Sequence, residues 1–104
     1  MMTTAQYLRQ IENYDNRIKN KLIEEEQLSS LSTSVSAILQ KRQEIVRTIE
    51  QVEDPLLYDI LFKHYVEYKS LVRIADEMGY SEIHIKKKHL KAIAEIKKIK
   101  GFER

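Results

Sequence analysis

The sequence predicts an all-α chain in which long N-terminal helices precede a C-terminal domain of three shorter helices. Only one proline and two glycines interrupt its 104 residues, and 33% of them are charged. Apolar residues recur at steps of three and four in both halves, which is the spacing of one helix face. The single proline, Pro55, follows Asp54 and suits the first turn of a new helix. We therefore expect a helical arm over residues 1–54 and a second domain over residues 55–104.

The arm carries two apolar stripes that are out of register with each other. The first follows a threonine cap at Thr3 or Thr4 and consists of Tyr7, Ile11, Tyr14, Ile18 and Leu22. The second has strict heptad spacing, broken only by Arg42, and consists of Leu28, Leu31, Val35, Ile38, Ile45, Ile49 and Val52. Stripes of this kind must be covered by each other, by the second domain or by another chain.

Two architectures fit the arm. Three glutamates separate the stripes, and a serine-rich segment, residues 29–36, lies at the start of the second one. Hydroxyl side chains favour turns because they compete for backbone hydrogen bonds. A helical hairpin that turns near residues 29–34 is the preferred prediction, and one long helix, kinked or dimerised, is the alternative. The heptad stripe, Leu28 to Val52, is also the predicted oligomerisation seam, with a homodimer as the favoured assembly.

The C-terminal domain is predicted as three helices, over residues 55–66, 70–78 and 81–100, with a polar turn at 67–69. The stretch IADEMGYSEIHI, residues 74–85, joins the last two. Ala75 allows the helices to cross closely, Gly79 ends the first by taking the left-handed conformation, and Ser81 caps the second. Ile85 returns to the core. Two short helices joined by a glycine-containing turn of this length indicate a helix-turn-helix.

The positive charge of the chain lies on the last of these helices. Residues 1–54 carry a net charge of −2, whereas residues 80–104 contain eight Lys/Arg and three Asp/Glu, a net charge of +5. A recognition helix places its N-terminal residues at base edges, and lysines beside them contact phosphates. The predicted DNA-binding residues are Lys69, Arg73, Ser81, Glu82, Ile83, His84, Lys86, Lys87 and Lys91. Glu82 either accepts from a cytosine amino group or only favours the helix N-terminus.

Other classes of protein lack support in the sequence. There is no cysteine, which excludes disulfides and thiolate metal sites. His84 and His89 are five residues apart, not the three or four that place two ligands on one helix face, and no nucleotide-binding or hydrolase motif occurs. No apolar run approaches the roughly 20 residues of a membrane span, and no signal peptide is evident. We expect a cytoplasmic protein that is not an enzyme and has no cofactor, metal site or membrane partner.

From Leu56 to about Ile96 the chain resembles the helix-turn-helix of sigma-70 region 4. The matching residues are DPLLYDILFKHYVEYKSLVRIADEMGYSEIHI followed by KAI. More closely, and including the opening helix TTAQYLRQIENYDNRIKNKL, it resembles small phage and prophage transcriptional regulators of the ArpU/RinA-like type. The resemblance implies double-stranded DNA as the partner and control of phage genes in a bacterial host cell. The alternative is a protein-interaction adaptor whose sigma-like domain binds RNA polymerase or another regulator without direct DNA binding.

Overall fold

The computed structural model of the chain describes residues 2–24 and 33–101, and all regular secondary structure in those ranges is helical. The break before Pro55 lies where the sequence predicts it. In the structure the Asp54 carboxylate also caps the new helix, because it accepts from the backbone N–H groups of Leu56 at 2.9 Å and Leu57 at 3.4 Å. The helices are α1 (Thr4–Glu24), α2 (Thr33–Glu50), α3 (Pro55–Leu61, continued by a π-helical turn, Phe62–Val66), α4 (Leu71–Met78) and α5 (Glu82–Lys100).

Helices α1 and α2 form an antiparallel hairpin. The Tyr7 hydroxyl, near the start of α1, lies 2.9 Å from the Thr48 hydroxyl near the end of α2. Further along α1, the Asp15 carboxylate pairs with the Arg42 guanidinium at 2.5 Å. Residues early in α1 therefore meet residues late in α2, so the hairpin is the correct alternative and the single long helix is wrong. Most of the predicted turn, residues 29–32, lies outside the described residues.

The heptad stripe, which the sequence predicts as an oligomerisation seam, faces the interior of the same chain along its described residues. Its five described members are buried without any second copy: Val35, Ile38, Ile45, Ile49 and Val52. Leu28 and Leu31, the other two predicted seam residues, lie outside the described residues. The heptad spacing is real, but α1 and the C-terminal half supply the surface that covers it.

One apolar core crosses the boundary that the sequence predicts between the two domains. It draws on α1, α2, α3 and α5, and its members include Leu8, Ile11, Ile45, Ile49, Leu57, Leu61, Ala92 and Ile96. Each fully buried leucine or isoleucine side chain contributes about 1.5–3 kcal/mol relative to an exposed one. The stability of the C-terminal helices is therefore shared with the hairpin, although Pro55 does mark the start of a new helix as expected.

The buried face of α1 is rotated from the one that the spacing predicts. Leu8 and Ile11 are fully buried, whereas the predicted stripe residue Leu22 is largely exposed. Tyr7, Tyr14 and Ile18 are only partly covered. The rotation arises because α1 packs not only on α2 but also on the π-helical turn and α5, which lie to one side of the hairpin.

The π-helical turn brings Tyr65 into the core beside His89 of α5. The Tyr65 hydroxyl shares a 2.8 Å hydrogen bond with His89 Nε2, and the His64 ring packs edge-on against both rings. Burial raises the pKa of Tyr65 to about 12. Burial also lowers the pKa of His89 from 6.5 to about 4, and His64 and Arg9 act in the same direction. His89 is thus a neutral, half-buried residue at the contact between the π-helical turn and α5.

Stability is expected to fall as the pH drops from 6.5 towards 4. The unfolded chain takes up a proton on His89 near pH 6.5, whereas the folded chain does so only near pH 4. Above pH 6.5 the ring is neutral in both states and has no effect. Because the ring is partly exposed, we expect a loss of about 1–2 kcal/mol over this window. Urea denaturation at pH 7 and pH 5 measures it, with His89→Gln as the comparison. An equal loss of stability in the wild type and in His89→Gln would show that His89 is not the group responsible.

Candidate nucleic-acid interface

The connection between α4 and α5 has the capping residues that the sequence predicts. Gly79 ends α4 with a φ of 74°, in the left-handed region that favours glycine. The next N–H, of Tyr80, donates to the Ala75 carbonyl at 3.0 Å and so closes the end of the helix. The Ser81 hydroxyl then accepts from the His84 N–H at 3.1 Å and starts α5. Ser70 caps α4 in the same way, through the N–H of Arg73 at 3.1 Å.

A small apolar core, separate from the main one, holds α4 against α5. It consists of Ile60 from α3, Ile74 and Ala75 from α4, and Ile85 from α5, all buried. Leu56, Leu71 and Met78 cover its edges. The predicted roles of Ala75 and Ile85 in this contact are confirmed, since both lie between the two helices. The contact determines which side of α5 remains in solvent.

The solvent side of α5 combines lysines with two exposed aliphatic residues. Ile83 is 68% exposed and Leu90 is 69% exposed. Lys86, Lys87 and Lys91 are also exposed. At 100° per residue, positions 83, 87 and 90 lie opposite the buried positions 85, 92 and 96. Lys88, by contrast, is half-buried and lies between the buried and the exposed face of the helix.

Several polar groups at the start of α5 already have partners within the chain. The Glu82 carboxylate pairs with Lys86 Nζ at 2.8 Å, one helical turn away. The His84 ring stacks on Tyr80, with ring centres 4.7 Å apart and planes 19° from parallel. The Ser81 hydroxyl is engaged as the helix cap. Lys87 and Lys91 form no ion pair with any residue in the described ranges, so their charges are available to an external anion.

Lys69 and Arg73 belong to a separate cluster centred on Glu77. The Glu77 carboxylate lies 3.0 Å from Lys69 Nζ, 3.1 Å from Arg73 Nε and 3.6 Å from Lys63 Nζ. Lys69 also pairs with Glu67 at 3.3 Å. Its hydrogen bonds to Glu77 and Glu67 raise the pKa of Lys69, and the Lys69 bond lowers the pKa of Glu77. With three cations, Lys63, Lys69 and Arg73, and two carboxylates, Glu67 and Glu77, the cluster keeps an excess of one positive charge beside α4.

Sequence reasoning missed Lys63 and Glu77 in this cluster. Only the i,i+4 spacing of Arg73 and Glu77 signals it in advance. Lys63 lies in the π-helical turn, a feature that residue spacing does not reveal. Lys69 follows Tyr68, and the left-handed backbone of Tyr68 directs the Lys69 side chain towards Glu77.

The turn before α4 is attached to the N-terminal hairpin. Tyr68 has a φ of 62°, a left-handed conformation that a bulky side chain rarely adopts. Its hydroxyl donates to the Asp15 carboxylate of α1. Burial, followed by this hydrogen bond, raises the pKa of Tyr68 to about 12. His64 Nδ1 donates to the Lys69 carbonyl at 2.7 Å. The hairpin thereby supports the turn that orients Lys69.

The predicted DNA-binding residues therefore fall into two groups. The first lies at the start and on the solvent side of α5 and comprises Ser81, Glu82, Ile83, His84, Lys86, Lys87 and Lys91. The second is Lys69 and Arg73, held around Glu77. No group of three His, Asp or Glu side chains in residues 2–24 and 33–101 is placed to hold a metal ion. No helix among these residues is long and apolar enough to cross a membrane.

Comparison of the chain with protein-family models, with curated proteins and with solved structures finds no match.

Proposed function

We propose that the chain is a DNA-binding transcriptional regulator whose α4–α5 unit is a helix-turn-helix. The observation that carries the proposal is the solvent side of α5, where Lys87 and Lys91, which form no ion pair with a described residue, follow the exposed start of a well-capped helix. A helix-turn-helix places such a start against base edges in the major groove. Lys86, Lys87 and Lys91 then contact phosphates.

The Glu77 cluster supports the same mode of binding. The first helix of a helix-turn-helix crosses the DNA backbone rather than entering the groove. Arg73 lies on α4 and Lys69 in the turn before it, with an excess of positive charge shared around Glu77. Phosphates approaching α4 replace Glu77 as partners of these cations. The Glu77 cluster thus orients the helix-turn-helix on the DNA backbone, and the α5 lysines supply most of the affinity for DNA.

The sequence resemblance supplies the biological setting of the proposal. The α4–α5 unit lies in the segment that resembles sigma-70 region 4, and the opening helix resembles that of phage and prophage regulators. We therefore propose a phage-type regulator that acts on genes in a bacterial host cell. Double-stranded DNA is its partner, and contact with RNA polymerase is a further activity that a sigma-like domain would allow.

Selection from a random pool of duplex DNA tests the proposal. The chain is expected to enrich one family of sequences and to bind them with an affinity that falls steeply with salt. Three phosphate contacts from α5 alone give a slope of about −3 in log affinity against log salt concentration. Enrichment of no sequence, together with weak binding that salt does not change, would contradict the proposal.

A protein-interaction adaptor is the second candidate function, and two exposed aliphatic side chains favour it. Leu90 on α5 and Val72 on α4 lie in solvent, where neither has a role in a phosphate contact. In the adaptor, these residues contact RNA polymerase or a regulator, and the lysines only keep the chain soluble. Titration with purified RNA polymerase distinguishes the two functions: an adaptor binds it, loses that binding on Leu90→Ser, and selects no DNA.

A further inference from the structure

We propose that Ile83 contacts the 5-methyl group of thymine and so selects a thymine at one position of the DNA site. The inference rests on the proposed function and names the base that the start of α5 recognises. Ile83 is the second residue of α5, within the first turn, where a helix-turn-helix meets base edges. Its side chain is 68% exposed, so most of its apolar surface is free to be covered by a ligand.

The polar side chains next to Ile83 are engaged by other parts of the chain. The Ser81 hydroxyl caps the helix, the Glu82 carboxylate pairs with Lys86 at 2.8 Å, and the His84 ring stacks on Tyr80. A hydrogen bond from any of them to a base edge would have to replace one of these contacts. Ile83 has no such contact to lose. The first turn of α5 is therefore better suited to an apolar contact than to hydrogen-bonded recognition.

Thymine is the base that offers an apolar contact in the major groove. Its C5-methyl group projects into the groove, whereas guanine and adenine present acceptor and donor atoms, and cytosine presents an amino group. An exposed isoleucine could also be covered by another protein. The charges around it favour DNA, since Lys86, Lys87 and Lys91 follow on the same exposed surface and attract a polyanion. The exposed surface of α5 thus combines lysines that attract phosphates with one apolar side chain, Ile83, at the end that meets the base edges.

Replacement of thymine by uracil tests the inference because it removes only the methyl group. A duplex selected from a random pool is made in versions that carry deoxyuridine at one thymine at a time, and each is titrated with the full chain. We expect one position, or two neighbouring ones, at which uracil weakens binding roughly three- to tenfold, as the loss of one buried methyl group implies. The remaining positions should show no change.

The variant Ile83→Ala identifies the residue responsible. It is expected to bind the thymine and uracil duplexes equally, with an affinity close to that of the wild type on the uracil duplex. Leu90→Ala is the matched control, since Leu90 is equally exposed on the same side of α5 but lies seven residues further along. It should retain the full thymine preference. Circular dichroism checks that both variants remain helical.

The outcomes separate the inference from the function on which it rests. If the wild type binds a selected duplex but tolerates uracil at every thymine, the inference is overturned while the proposed function stands. A thymine preference that survives in Ile83→Ala overturns it as well. If no duplex is selected at all, the proposed function fails, and the thymine contact fails with it.

Discussion

Replacing Lys87 and Lys91 together by glutamate is expected to weaken binding to duplex DNA by about 100-fold or more near physiological salt. Both lysines are exposed on α5, and neither forms an ion pair with a residue in the described ranges. The variant removes two phosphate contacts and places two negative charges beside the DNA backbone. Fluorescence anisotropy over a salt series measures the loss, and the slope of log affinity against log salt should become shallower by about 2.

The choice of lysines makes this experiment interpretable. Lys86 is left unchanged because its replacement by glutamate would also break the pair with Glu82 and set two carboxylates one turn apart. The control is Lys19→Glu with Lys41→Glu, an equal change in net charge at two exposed lysines of the N-terminal hairpin. We expect the affinity of the control variant for duplex DNA to fall several-fold at most. Similar losses in both variants would mean that net charge, rather than the α5 surface, governs binding.

Ile45→Asp is expected to destabilise the folded chain by about 4 kcal/mol or more, a large part of the stability of a domain this size. Ile45 is 3% exposed and belongs to the core shared by α1, α2, α3 and α5. An aspartate there would place a carboxylate in a core made almost entirely of apolar side chains. Urea denaturation followed by helical circular dichroism gives the change in the free energy of unfolding.

The matched control for Ile45→Asp is Leu39→Asp on the same helix, because Leu39 is 44% exposed and lies outside the buried core. It should change stability by less than about 1 kcal/mol. Sedimentation of the three proteins then decides between an internal core and an interchain seam. We expect the wild type to sediment as a monomer. A wild-type dimer that Ile45→Asp converts into stable, folded monomers would show that the heptad stripe joins two chains.

Much of the candidate interface follows from residues that are neighbours in the sequence. Ser70, Gly79 and Ser81 each act on backbone groups within five residues, so their capping roles depend on local chemistry alone. The exposure of Ile83, Lys86 and Lys87 follows from the burial of Ile85, because helix geometry places them away from it. These features are predictable because a helix relates nearby residues through a constant rotation.

The contacts that sequence reasoning missed join residues distant along the chain. Tyr68 meets Asp15 across 53 positions, and Tyr65 meets His89 across 24. Glu77 gathers Lys63 and Lys69 only because the π-helical turn and the left-handed Tyr68 bring them to α4. Nothing in the spacing of these residues indicates such contacts, since they depend on how separate helices pack.

The sequence alone determined the all-helical architecture, the break at Pro55, the caps around Gly79 and the lysine-rich side of α5. It left open which surface covers the heptad stripe of α2, since periodicity shows that a helix face must be buried but not against what. Tertiary structure decided this by folding α1 back onto α2 and by closing the C-terminal helices over both. The physical reason is that local backbone bonds specify a helix and its ends, whereas the burial of apolar surface is non-directional and accepts any partner of matching shape.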